Sequence, residues 1–141
     1  MSRPPIELFG QEHVERYRET DGEIGHEWLP GVFTLLLTTT GRRSGRPFTT
    51  PLIYAEDGDD YVVIASKGGA PGHPDWYLNL RDDPEVELQV GAEVVRATAQ
   101  TVDGPRRDEL WARMAQIWPD YDAYTERTDR EIPVVVLHPN P

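Results

Sequence analysis

The run Phe33-Thr-Leu-Leu-Leu-Thr-Thr-Thr40, the turn Gly41-Arg-Arg-Ser-Gly45 and the return Arg46-Pro-Phe-Thr-Thr-Pro-Leu-Ile-Tyr-Ala55 decide the fold. A leucine and β-branched run of this length reads as a buried strand, and the glycine-bounded turn reverses it into a second strand. Glu56-Asp-Gly-Asp-Asp60 is a second hairpin turn, leading into a third strand at Tyr61–Ser66. Working outward, a Gly/Pro-rich loop from Lys67 to His73 delivers Pro74 to the first position of a helix, where its missing N–H is no loss. Asp82-Asp83-Pro84 ends that helix. Glu85–Val90 and Glu93–Val102 form a further hairpin around Gly91. Asp103-Gly104-Pro105 opens a helix with Leu110, Met114 and Ile117 on one face and Trp111 and Trp118 beside them. Pro119-Asp120 restarts a short helical segment, and Ile132–His138 is the last strand. Upstream, residues 11–20 mix charges at helical spacing and predict a surface helix within an N-terminal helical segment of roughly residues 8–28. The order predicts a single domain over 1–141, mainly β with flanking helices, its antiparallel sheet closed as a barrel and its helices packed outside.

Composition narrows the function. The chain has 141 residues and no cysteine, which removes disulfides, thiolate metal sites and cysteine nucleophiles. No apolar run approaches the roughly 18 residues of a membrane span, and the first residues lack the apolar stretch of a secretory signal. The expectation is a cytoplasmic protein. A net charge of −11 opposes sequence-independent nucleic-acid binding and strong attraction to an anionic membrane. Between Trp28 and Ala55, however, there is no acidic residue, while Arg42, Arg43 and Arg46 fall together. That cluster fits a focused anion site; it also fits three solvated arginines on a turn.

The four histidines, at 13, 26, 73 and 138, have no paired ligand spacing, so no metal is expected. No serine sits in a nucleophile elbow. Two segments carry more. In Thr38–Pro51, two glycines expose backbone N–H groups while three guanidiniums and the Ser44 hydroxyl offer charge-assisted bonds to phosphate or carboxylate. In Ala65-Ser-Lys-Gly-Gly-Ala-Pro-Gly-His-Pro-Asp-Trp-Tyr-Leu-Asn79, glycines leaving a strand let backbone approach a flat ligand. Trp76 and Tyr77 read more readily as packing than as ligand contacts. Tyr121 and Tyr124, three apart, share a helical face and offer flat apolar surface with a hydroxyl, or else cap the core.

At these two segments, over Leu36–Pro47 and Ala65–Leu80, and at Asp83-Pro84 with Val86, Trp118-Pro-Asp-Tyr-Asp-Ala-Tyr-Thr125 and Arg130-Glu-Ile-Pro-Val134, the sequence resembles the deazaflavin-dependent nitroreductases of actinobacteria, also described as F420H2-dependent quinone reductases. The resemblance covers roughly Pro30 to Pro139. It implies a split β-barrel related to the flavin-mononucleotide reductases and an oxidoreductase that passes hydride from reduced coenzyme F420 to a quinone, nitroaromatic or unsaturated lactone or enone. It implies that Arg42, Arg43, Ser44 and Arg46 hold the phosphate and acidic tail of the coenzyme. Ser66, Lys67, Gly68, Gly69 and Ala70 would line the deazaflavin ring, with Trp76 and Asn79 supporting them. Tyr121 and Tyr124 would bound the acceptor pocket, with Ser66 and Tyr124 touching the reacting acceptor. Phe48 departs from the family pattern, where a basic residue is common. The partner expected is a small-molecule electron acceptor, with peripheral membrane contact if that acceptor is a lipid quinone. A flavin-mononucleotide oxidoreductase on the same barrel and a non-catalytic F420 carrier are the alternatives.

Overall fold

The computed structural model describes Leu8 and residues 10–141. Among them, α1 (Gly10–Glu19) precedes β1 (Glu27–Leu29), β2 (Val32–Thr40), β3 (Pro47–Ile53), β4 (Ala55–Asp57) and β5 (Asp60–Ile64). A 3₁₀ turn (Lys67–Gly69), α2 (Asp75–Asp82), β6 (Glu85–Val90), β7 (Glu93–Val102), α3 (Gly104–Ile117), α4 (Asp120–Tyr124) and β8 (Val134–Pro139) follow. The strands run in the order β1-β2-β6-β7-β8-β5-β4, with β3 on the other side of β2. Every pairing is antiparallel. The sheet curls into a split β-barrel with the helices outside it, as the sequence predicts.

Period-two alternation explains why the central strands look apolar throughout. Val135 and Leu137 face the barrel interior with Leu35, Leu37 and Leu88. Val134 and Val136 face the other way, into a cluster with Leu110, Met114 and Tyr121 beneath α3 and α4. Leu36 likewise points away from Leu35 and Leu37 and meets Val14 and Tyr17 of α1.

That contact corrects the reading of residues 11–20 as a surface helix. His13, Val14 and Tyr17 are all buried. The Tyr17 hydroxyl donates to the Thr34 carbonyl (3.0 Å) and accepts from the Gly91 N–H (2.7 Å). Burial pushes its pKa from 10.0 up to about 12. The helical segment is also shorter than the predicted 8–28. Asp21 (φ 51°) and Gly22 (φ 84°) turn left-handed and stop it. A Cβ on Gly22 would lie 2.5 Å from the Gly91 Cα, so glycine is required where the two loops touch. Trp28 consequently sits in β1.

The second correction concerns Arg46–Ala55, which is two strands. β3 pairs with β2 as far as Ile53, β4 pairs with β5 from Ala55, and Tyr54 is the corner between them. Pro47 and Pro51 deprive β3 of ladder donors, which confines such a strand to an edge. β3 pairs with β2 alone, and the barrel stays open between β3 and β5.

Candidate active site

The turn between β2 and β3 is held by its own backbone. Gly41 N–H donates to Arg46 O and Gly45 N–H to Gly41 O, both at 2.8 Å. Arg46 N–H donates to Ser44 Oγ (3.1 Å). Its arginines divide into two kinds. Arg42 Nη1 donates to Asn79 Oδ1 (2.8 Å) and Nη2 to Asp75 Oδ1 (3.3 Å). Asn79, itself buried, also accepts from the Arg42 N–H and donates to Thr39 Oγ1. Arg42 and Asn79 therefore tie the turn to α2. Arg43 and Arg46 are exposed and form no ion pair among the described residues. Their donors stay available for an anionic ligand.

Beyond β5, Ser66 leads into the 3₁₀ turn. Lys67 is exposed with φ 47°, and Gly69 is buried with φ 81°. A Cβ on Gly69 would stand 2.7 Å from the Tyr124 carbonyl, so α4 rests directly on the turn. Trp76 and Tyr77 lie in the barrel interior, where they pack. Ala70 gives its carbonyl to Arg130 Nε (2.8 Å). Of Gly68 only the backbone element is described.

A cavity of about 320 Å³ occupies the split between β3 and β5. Ser66, Tyr121 and Tyr124 all line it, with Trp118, Trp28 and His13 completing an aromatic wall. The Tyr121 and Tyr124 rings meet edge to face at 6.0 Å. Trp118 Nε1–H donates to the Tyr124 hydroxyl (3.4 Å). An indole N–H only donates, so the Tyr124 oxygen is the acceptor and its proton is left for a further partner. Burial, then the neighbouring Tyr124, raises the Tyr121 pKa, so this phenol stays protonated at neutral pH. His13 Nε2 lies 3.1 Å from the Gly25 carbonyl, and burial lowers its pKa below 6.5. It faces the cavity wall as a neutral imidazole.

Thr50 and Pro51 of β3 also line the cavity. They begin four residues beyond Arg46, about 13 Å at 3.3 Å per residue. A flat aromatic group in the cavity and an anionic group at Arg43 and Arg46 would thus sit one strand-length apart. The donor set fits a cofactor with a ring at one end and a phosphate or acidic tail at the other.

Sequence reasoning brought together Ser66, Tyr121 and Tyr124 but missed His13, Trp28 and Arg130. The i, i+1, i+4 spacing of His13, Val14 and Tyr17 is a helical-face signal that points His13 inward. Arg130 stands in a segment of the family resemblance, but its role left no signal, because its partners are backbone carbonyls of residues 65, 66 and 70. Among the described residues, no group of three or more His, Asp or Glu is placed to hold a metal ion, and no helix is long and apolar enough to cross a membrane.

Fold and site together define a split β-barrel with an aromatic-walled cavity at its opening and two exposed arginines at the head of the neighbouring edge strand. The family model of F420H(2)-dependent quinone reductase matches residues 9–139, and the chain belongs to that family. An F420H(2)-dependent quinone reductase of Mycobacterium tuberculosis is 47% identical over 131 residues, covering 89% of this chain and 86% of the relative. A solved F420-H2 dependent reductase is 39% identical with a TM-score of 0.69, covering 74% of this chain and 93% of that one. A structure described as a domain-swapped dimer is 36% identical with a TM-score of 0.73, covering 91% and 96%.

Proposed function

We propose that the protein reduces a flat quinone or nitroaromatic acceptor stacked beside the ring of reduced coenzyme F420, its electron donor, in the cavity between β3, β5 and α4. The observation that carries this reading is the arrangement along β3: two uncommitted arginines at its start and an aromatic cavity with Ser66 and Tyr124 at its far half. When bound, the coenzyme supplies the hydride at the deazaflavin carbon C5.

The chain's residues supply position and electrostatics. Arg43 and Arg46 take the phosphate and acidic tail, with Ser44 offering its hydroxyl and Arg42 holding the turn against α2. Ser66 to Ala70 bound the ring, and Gly69 lets α4 close over the turn. Trp118, Tyr121 and Trp28 give the acceptor an apolar wall on which to stack and displace water. The Tyr124 O–H, its oxygen already accepting from Trp118, donates to the acceptor oxygen on which negative charge develops. Ser66 offers a further hydroxyl at the cavity, next to the ring-binding turn.

The test is anaerobic mixing of the purified protein with reduced coenzyme F420 and a panel of quinones, nitroaromatics and enones, following coenzyme oxidation spectrally. Turnover with at least one quinone or nitro compound, and none with reduced flavin mononucleotide, is expected. Tight coenzyme binding without turnover of any acceptor would make the protein a carrier. Turnover with flavin mononucleotide alone would assign the barrel to that cofactor.

A further inference from the structure

One guanidinium gathers three backbone carbonyls at the two ends of the Gly-rich turn. From the segment between α4 and β8, Arg130 Nε donates to Ala70 O (2.8 Å), Nη1 to Ala65 O (3.3 Å) and Nη2 to Ser66 O (2.7 Å). Nη1 also lies 3.1 Å from His73 Nδ1. A cation donates only, so His73 accepts there and carries its proton on Nε2. Arg130 forms no ion pair among the described residues, and four of its five donors go to carbonyls and one imidazole. A planar fork with donors in fixed directions can satisfy carbonyls at both ends of a turn at once; an ammonium cannot.

The orientation of those carbonyls determines what the other side of the turn offers. In a trans peptide the N–H points opposite to the C=O of the same unit. With Ala65 O and Ser66 O directed at Arg130, the N–H groups of Ser66 and Lys67 point away from it. Neither donates a hydrogen bond among the described residues. The third carbonyl, of Ala70, precedes Pro71, whose nitrogen carries no hydrogen. Ser66 is right-handed (φ −78°, ψ −40°) and Lys67 left-handed (φ 47°). That sequence of conformations makes successive N–H groups converge into a concavity for an oxygen bearing negative charge. A left-handed lysine costs roughly 1–2 kcal/mol, and it persists here because the carbonyls around it are fixed.

We propose that Arg130 is the positioning residue of the ring-binding turn, fixing the Ser66 and Lys67 N–H groups as a two-donor seat for the electron-rich oxygen edge of the deazaflavin ring. This rests on the coenzyme reading above. Arg130 does not touch the ligand; it acts through the backbone.

The experiment separates the ring from the tail. Binding of coenzyme F420 and of the deazaflavin riboside, which has the ring and sugar chain without phosphate or acidic tail, is measured for wild type, Arg130→Lys, Arg130→Met and Arg43→Ala, with thermal melts for each. Both Arg130 variants are expected to weaken both ligands by the same factor, about tenfold or more, since the lost seat serves only the ring. Arg43→Ala weakens the full coenzyme and leaves the riboside unchanged. Folded Arg130 variants that hold the riboside within about twofold of wild type would overturn the role. So would full rescue by Arg130→Lys, which keeps charge but not the fork. Amide exchange on the wild type decides the matter if both variants unfold: Ser66 and Lys67 N–H slow on riboside binding if the seat exists, and unchanged exchange overturns it. A wild type that binds neither ligand would instead refute the coenzyme reading, and this role with it.

Discussion

Replacing Tyr124 with phenylalanine keeps the ring and removes one oxygen, and the structure sets the size of each consequence. The ring still packs edge to face on Tyr121 at 6.0 Å and the Tyr124 backbone still covers Gly69, so the wall of the cavity survives. The hydroxyl accepts one long bond from Trp118 Nε1 (3.4 Å), and Trp118 is only half-buried. Losing that bond costs about 0.5 kcal/mol, at the low end for a neutral hydrogen bond. The kinetic cost is larger, because a donor aimed at developing negative charge in a cavity walled mainly by aromatic and aliphatic side chains contributes about 1.5–3 kcal/mol. Saturated turnover with a quinone should therefore fall about 10- to 100-fold, by the relation of 1.36 kcal/mol per decade. Coenzyme affinity should stay within about twofold, since the residue lies on the acceptor side. The assay is steady-state oxidation of reduced coenzyme F420 at saturating coenzyme across a quinone and nitroaromatic panel, with a thermal melt alongside. Wild-type turnover for every acceptor, with only the melt shifted, would refute the reasoning and leave Tyr124 a packing residue.

Arg43→Ala and Arg46→Ala should each raise the coenzyme dissociation constant about tenfold or more while sparing saturated turnover, and added salt should weaken wild-type binding; calorimetric titration reads both. Gly69→Ala should lower thermal stability and acceptor turnover together, because it forces an alanine to φ 81° and places a methyl 2.7 Å from the Tyr124 carbonyl; unchanged turnover would mean that α4 shifts freely. Tyr17 carries a pH dependence. Its folded pKa of about 12 stands above the ordinary 10.0, so the folded protein holds the proton longer, and this contribution is complete below pH 10.0 and lost as pH rises toward about 12. Tyr17→Phe should flatten the fall of stability over that alkaline window in denaturant titrations, and an unchanged slope would remove Tyr17 as its source. The same variant should cost about 1–3 kcal/mol at neutral pH, since it leaves the half-buried Gly91 N–H and the Thr34 carbonyl without their phenol partner.

The β6–β7 hairpin and the start of α3 were legible to the residue, because period-two alternation and Asp-Gly-Pro punctuation are local signals. Two features were not, for different reasons. Charges at helical spacing made residues 11–20 look solvated. Tyr17 is buried there because the sheet turns Leu36 outward and exposes carbonyl and N–H groups that only a phenol at that height can meet. Composition cannot register a partner 74 residues away, such as Gly91. The break at Tyr54 was hidden by the continuous β propensity from Phe48 to Ala55, since a corner between two paired regions needs no turn residue when each half finds its own ladder.

The same contrast explains why half the site could be read and half could not. Arg43, Ser44, Arg46 and the Gly-rich turn advertise themselves because they are exposed side chains and backbone in unusual residue types. The cavity does not, because it is a property of an edge. Two prolines stop β3 from pairing beyond β2, and the strand that would close the barrel is never recruited. The gap this leaves is filled from elements far apart in sequence: Trp28 from β1, Ser66 after β5, Trp118 and Tyr124 around α4. Pro51→Val, by restoring a ladder donor on that edge, is the change that would show whether the opening is maintained by proline chemistry or by the aromatic residues that line it.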